Sequence, residues 1–301
     1  MSATEDQLPA SPSAPSHEAL RRKLMRRMGR SCRDWKLLEP DDRIMVCLSG
    51  GKDSYSLLTL LMEMVPKLPF SVELIAVHLD QQQPGYDGRP LEDWLAASGA
   101  RYEILSEDTY SVVTGHLDET RTYCSMCSRL RRGILYTAAA RLGCNKLALG
   151  HHRDDALETF LMNLFYAGKL QAMPAVYTTD DGRFQVVRPL IDCEERDIAR
   201  FAAGEGFPIL PCNLCGSQTG LRRDKMTELI ATMEQDNPHV RAVMANALSN
   251  VRPTHLLDRD VLEAWGVRPA HVRPIESAPR PEHARAEPVR ASTGRLPILE
   301  S

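Results

Sequence analysis

The sequence predicts an α/β fold, a parallel sheet with helices on both faces, and three observations carry that expectation. From Arg43 onward short apolar runs alternate with longer helical stretches, the rhythm of strand–helix–strand crossovers. The crossovers themselves require a sheet covered on both sides. Polar or glycine-rich loops follow three of the apolar runs, at Ser49, Asp80 and Gly150, and open sheets of this class bind ligands beyond the carboxyl ends of their strands.

Taken in order, residues 1–16 are polar and rich in Ser and Pro and read as a disordered tail, and residues 17–35 read as a helix carrying Arg21, Arg22, Lys23, Arg26, Arg27 and Arg30. Such a cluster is either a solvated face or a surface for backbone phosphates, with Arg26 and Arg27 as candidates. Strands follow at 44–48, 72–79, 102–105, 146–149 and 185–187, with helices near 53–64, 128–142, 155–165 and 194–203. The chain thus divides into a tail (1–16), a basic helix (17–42), a main domain (43–252) and a Pro- and Arg-rich, mostly disordered segment (253–301).

At 301 residues and 43% hydrophobic content the chain can bury a full core. A net charge of -3 and a pI near 6.3 supply no global field for a polyanion, so any nucleic-acid site must come from local clusters. No stretch reaches the ~18 apolar residues of a membrane span, and the N-terminal segment lacks the apolar core of a signal peptide. A cytoplasmic protein without membrane contact is expected.

Ser49-Gly50-Gly51-Lys52-Asp53-Ser54 joins the first strand to its helix. The glycines let backbone amides approach an anion closely, the helix directs its positive end at the same point, and Ser49, Lys52 and Ser54 add donors and charge. The spacing is neither that of a Walker loop nor that of a dinucleotide fingerprint. A second loop, Gly150-His151-His152-Arg153-Asp154-Asp155, opens another helix toward the same crevice. Its acids either cap the helix, with Asp154 as the N-cap, or hold a metal. Four of the eight cysteines form two Cys-x-x-Cys pairs, Cys124/Cys127 and Cys212/Cys215, which suit Zn²⁺ or an iron–sulfur cluster in a reducing compartment. Cys32, Cys47, Cys144 and Cys193 stand alone and read as small buried apolar residues.

The hexapeptide at 49–54 resembles the signature of the PP-loop ATP pyrophosphatases, and Gly150 to Asp155 and Arg188-Pro189-Leu190 are similar to that family's later motifs. The resemblance implies a Rossmann-like, adenine nucleotide alpha hydrolase-like sheet, ATP bound at residues 49–54 with Gly150 and His151, and Mg²⁺ held by Asp53 and Asp154. Within these enzymes, Tyr123-Cys124-Ser-Met-Cys127-Ser-Arg-Leu-Arg-Arg and Pro211-Cys212-Asn-Leu-Cys215-Gly-Ser-Gln are similar to the tRNA 2-thiocytidine synthetases, over roughly residues 30–252. This implies a 4Fe-4S cluster on Cys124, Cys127 and Cys215, with Cys212 as the alternative third ligand, and one iron open to carry sulfur. It further implies adenylation and 2-thiolation of a cytidine at position 32 of the tRNA anticodon loop, a cysteine desulfurase as sulfur donor, and a homodimer. Arg129, Arg131 and Arg132 are candidates for phosphates of ATP or tRNA, beside a plain surface role. The rival readings are a uridine or thymine thiolase, whose N-terminal zinc ribbons are missing here, a lysidine synthetase, which needs no paired cysteines, and a non-catalytic zinc-bearing RNA-binding module.

Overall fold

A computed structural model of the chain describes residues 16–115, 123–210 and 219–266, without the side chains of 113–115, 123–128 and 219–221. Residues 1–15 and 267–301 of the proposed tails lie outside the described residues, as do Cys212, Cys215 and the side chains of Cys124 and Cys127, whereas 253–266, expected to belong to the disordered segment, carry a 3-10 turn (Pro253–His255) and a short helix (Arg259–Ala264).

Helix α1 (His17–Asp34) starts where Ser16 Oγ accepts from the Ala19 amide at 3.2 Å. Then come β1 (Asp42–Leu48), α2 (Lys52–Met64), β2 (Val72–Asp80), α3 (Arg89–Ser98), β3 (Tyr102–Ser106), α4 (Thr109–Gly115), α5 (Tyr123–Arg141), β4 (Lys146–Ala148), α6 (Arg153–Met162), β5 (Val176–Thr178), β6 (Gln185–Val187) and α7 (Glu195–Glu205). Helices α8 (Thr219–Asp236), α9 (Val240–Ser249) and α10 (Arg259–Ala264) complete the described elements. By contacts the chain separates into Met1–Ser249, which holds the sheet, and Asn250–Ser301, which carries α10.

The six strands run in the order β3-β2-β1-β4-β6-β5. All neighbours are parallel except β5, which pairs antiparallel with β6. Strand residues alternate between two cores, as the period of 2 demands. Ile44, Val46, Leu48, Ala76, Ala148 and Val187 pack under α1, α2, α3 and α7. Met45, Ile75, Val77, Leu147 and Val186 pack against Ala138 and Ala139 of α5 on the opposite face. A third cluster joins Leu157 and Leu161 of α6 to Met226, Ile230 and Val240 of α8 and α9.

Several features depart from the sequence expectation. The sheet is mixed rather than wholly parallel, because β5 returns as a hairpin edge. Helices α3, α4, α8 and α9 were not expected. Helix α5 begins at Tyr123 instead of near residue 128, so the first cysteine pair lies inside its opening turns, and nothing between 123 and 129 is a helix breaker. Helix α6 ends at Met162 and passes into a π-helical turn, Asn163–Ala167.

Candidate nucleotide site and its relatives

Strand order reverses between β1 and β4, which lie side by side while β2 and β6 continue outward, and such a switch point opens a crevice at the carboxyl ends of the strands. The loops that follow β1 and β4 are those at 49–54 and 150–155. They meet at backbone contact: a Cβ on Gly150 would stand 3.0 Å from the Asp53 carbonyl carbon and 3.1 Å from the Ser54 nitrogen. Gly50 adopts φ +81°, and a side chain there would also strike Leu210, whose amide donates to the Gly50 carbonyl at 2.9 Å. The strand-to-helix turn is thus pinned from both sides.

No side chain caps α2 at Gly51; the Ser54 amide donates to the Gly51 carbonyl at 3.1 Å, and the start of the helix, Asp53 and Ser54, lies on the crevice. The serines expected to donate to an anion shape the loop instead. Ser54 Oγ donates to the Gly51 carbonyl at 2.9 Å and accepts from the Ser49 amide at 3.2 Å, while the Ser49 hydroxyl lies 3.3 Å from it. Lys52 Nζ sits between Asp53 Oδ2 at 3.2 Å and Glu195 Oε1 at 3.1 Å. Burial opposes its charge, but these two carboxylates hold its pKa above the ordinary lysine value. Asp53 Oδ1 is buried with no hydrogen-bond partner, and burial pushes the carboxyl up despite Lys52 and His152 nearby. An acid so placed fits a cation between it and phosphate oxygens.

In the second loop His152, not Asp154, is the N-cap: the His152 amide donates to Asp155 Oδ2 at 2.9 Å and the Asp155 amide to His152 Nδ1 at 3.4 Å. Asp154 is turned away from the crevice. Its Oδ1 accepts from Arg241 Nη1 of α9 at 2.8 Å and its Oδ2 from the Glu195 amide of α7 at 2.8 Å. Burial alone would raise its pKa, yet Arg153, that amide and Arg241 hold it below the usual carboxylate value. With both oxygens engaged, Asp154 ties three helices together, and Asp155 is the acid of this motif that lines the crevice.

His151 also lines the crevice, and Arg188 Nε donates to its Nδ1 at 3.3 Å. Burial, opposed by Asp155 and reinforced by Arg188, Arg223 and His152, lowers its pKa to about 4. A neutral imidazole whose Nδ1 accepts carries its proton on Nε2. Arg188 is itself held by the Pro174 carbonyl at 2.7 Å, which links the third sequence motif to the second.

The crevice encloses about 290 Å³. Cys47, Leu48, Val77, Leu79, Leu135 and Leu149 form its apolar wall, and Ser49, Asp53, Ser54, Gln81, Arg131, Gly150, His151 and Asp155 its polar part. Of the α5 arginines only Arg131 lies on it, four residues after Cys127. Arg129 borders a neighbouring groove with Glu107, and Arg132 is exposed. On α1, Arg27 Nη2 pairs at 2.7 Å with Glu194, the residue before α7, whereas Arg26 is exposed. Glu195, Arg223 and Arg241 escaped the sequence reading. The only available hint for the last two was the apolar spacing of Met226, Ile230 and Val240.

Among the described residues no helix is long and apolar enough to cross a membrane, and no group of three metal-binding side chains is present. Cys32, Cys144 and Cys193 are buried and Cys47 is partly so. Burial pushes the thiols of Cys32, Cys47 and Cys193 up to about 12 and raises that of Cys144. Protonated thiols are poor metal ligands, so a cluster would fall to the two Cys-x-x-Cys pairs.

The sequence profile of the PP-loop domain matches residues 20–209. The tRNA-cytidine(32) 2-sulfurtransferase of Sorangium cellulosum is 50% identical over 251 residues, covering 83% of this chain and 89% of that protein. That of Bordetella pertussis is 47% identical over 275 residues, covering 88% and 86%. Among solved structures, the U34-tRNA thiolase NcsA from Methanococcus maripaludis with its 4Fe-4S cluster superposes with a TM-score of 0.61 at 24% identity, over 79% of this chain and 81% of that one, and shares the fold. By its PP-loop domain and by identity across most of its length, the chain belongs to the tRNA-cytidine(32) 2-sulfurtransferase family.

Proposed function

We propose that the chain uses ATP to adenylate the C2 oxygen of cytidine 32 in tRNA and exchanges that oxygen for sulfur. The observation that carries this reading is Asp53 Oδ1, buried and without a hydrogen-bond partner beside Lys52 at the start of α2, which no side chain caps. The relatives named above support the substrate.

The apolar wall of the crevice suits an adenine and the α2 amides suit phosphate oxygens. Asp53 would hold Mg²⁺ against those oxygens, and the cation would neutralise the charge that forms as pyrophosphate departs. Lys52 is positioned to balance phosphate charge, and His151 offers its Nε2 proton as a hydrogen bond. Attack by the C2 oxygen on the α-phosphorus forms the O–P bond and breaks the bond to pyrophosphate. The activated oxygen then leaves as AMP while sulfur bonds to C2. A 4Fe-4S cluster on Cys124, Cys127 and Cys215, or with Cys212 as the third thiolate, would supply an open iron position for that sulfur, with a cysteine desulfurase as the source.

Asp53→Asn tests the assignment. Pyrophosphate and AMP formed in the presence of ATP and unmodified tRNA should fall about a hundredfold or more. The melting temperature should change little, because Asn removes a desolvated charge while leaving an oxygen that can accept from Lys52. Wild-type AMP formation in Asp53→Asn would overturn the role.

A further inference from the structure

The reaction leaves the exposed aromatic pair that follows α6 unused. The π-helical turn after α6 widens the backbone and turns consecutive side chains outward. Phe165 is 56% exposed, Tyr166 49% and Leu170 65%. The turn is held in place: the Lys169 amide donates to the Asn163 carbonyl at 3.0 Å, and Asn163 Nδ2 donates to the Gln171 carbonyl at 2.7 Å. Two large rings kept in water on a hydrogen-bonded turn mark a contact surface.

Charge narrows the partner. Residues 159–179 contain no carboxylate, and their sole charged side chain is Lys169. The first turn of α8 adds Arg222, whose guanidinium carbon lies 5.0 Å from the centre of the Tyr166 ring. The next residue, Arg223, reaches Asp155 on the crevice wall at 3.6 Å. Consecutive residues of α8 therefore connect the aromatic turn to the rim of the nucleotide crevice.

We propose that Phe165 and Tyr166, with Arg222 and Lys169, form a stacking platform for an unpaired base of the tRNA next to the nucleotide that enters the crevice. Unpaired bases stack on aromatic rings and guanidinium planes, and the two cations suit the phosphates that accompany such a base. An isologous contact between two copies would instead bring Lys169 and Arg222 of both subunits together with no carboxylate of this segment between them. The inference rests on the tRNA reading above.

The test measures binding of labelled, unmodified tRNA to the full chain at fixed salt, with ATP affinity and molar mass in solution determined in parallel. Combined Phe165→Ala and Tyr166→Ala should weaken tRNA binding about tenfold to a hundredfold, leaving ATP affinity and molar mass unchanged. Tyr166→Phe keeps the ring and should bind as the wild type does. Both positions are exposed, so the variants should fold, and circular dichroism checks that they do. Unchanged tRNA affinity in the double variant overturns the platform alone, and so does a change of molar mass with tRNA affinity retained, which identifies a self-interface. A wild-type chain that does not bind tRNA overturns the platform together with the substrate reading.

Discussion

His151 shows how far a single residue can be read. The sequence places it in a loop after a strand but does not say which nitrogen carries the proton. The structure does, because Arg188 Nε can only donate, and it donates to Nδ1. Burial is the main reason that its pKa falls to about 4 from 6.5. Since the folded value lies below the unfolded one, the unfolded chain binds more protons between the two. The stability that neutral His151 contributes is therefore complete above about 6.5 and is lost as the pH falls from there toward 4. Imidazole ¹⁵N shifts followed by NMR should report a neutral ring from pH 6 to 8 with the proton on Nε2, and a midpoint at or above 6.5 would refute this. Gly150 illustrates the same limit: its presence in an anion loop was legible, but its close contact with the Asp53 backbone joins residues far apart in sequence.

At the scale of elements, α1 divides the two readings of a basic helix. Its buried face, Leu20, Leu24 and Met28, sets which arginines turn inward. Lys23 pairs with Asp197 at 2.6 Å and Arg27 with Glu194 at 2.7 Å, so these cations dock α1 on α7, while Arg22, Arg26 and Arg30 remain on the exposed side. Glu194 is buried, and removing Arg27 leaves its carboxylate to Arg196 at 2.6 Å, Arg153 at 3.5 Å and Lys23 at 3.8 Å, a weaker set of partners for a desolvated charge. Arg27→Ala should cost about 1–3 kcal/mol in denaturant unfolding without altering the salt dependence of tRNA binding. If the salt slope instead dropped by about one with stability unchanged, Arg27 would be a phosphate contact. Helices α8 and α9 act at this scale too. Through Arg241 and Asp154 they brace the start of α7, whose Glu195 holds Lys52 of the phosphate loop.

For the whole molecule, the sheet order converts distant segments into one site. The β1 and β4 loops meet because those strands are neighbours. Cys124 and Cys127 lie on the helix that carries Arg131 to the crevice, and Leu210, two positions before Cys212 in the sequence, is bonded to Gly50. Anaerobically purified protein should accordingly contain iron and acid-labile sulfide, with a broad absorbance near the visible edge that Cys124→Ala abolishes. Stoichiometric zinc without iron would overturn the cluster assignment. By itself the sequence determined the α/β class, the phosphate loop, the second loop and the paired cysteines, because each rests on local spacing or residue chemistry. Only the tertiary structure decided that Asp155 and not Asp154 lines the crevice, that Ser49 and Ser54 shape their loop, and that β5 closes the sheet antiparallel. The first outcome depends on Arg241 and Glu195, which lie far along the chain and meet Asp154 only once the sheet has ordered its strands, while the other two rest on hydrogen-bond geometry that residue spacing does not reveal.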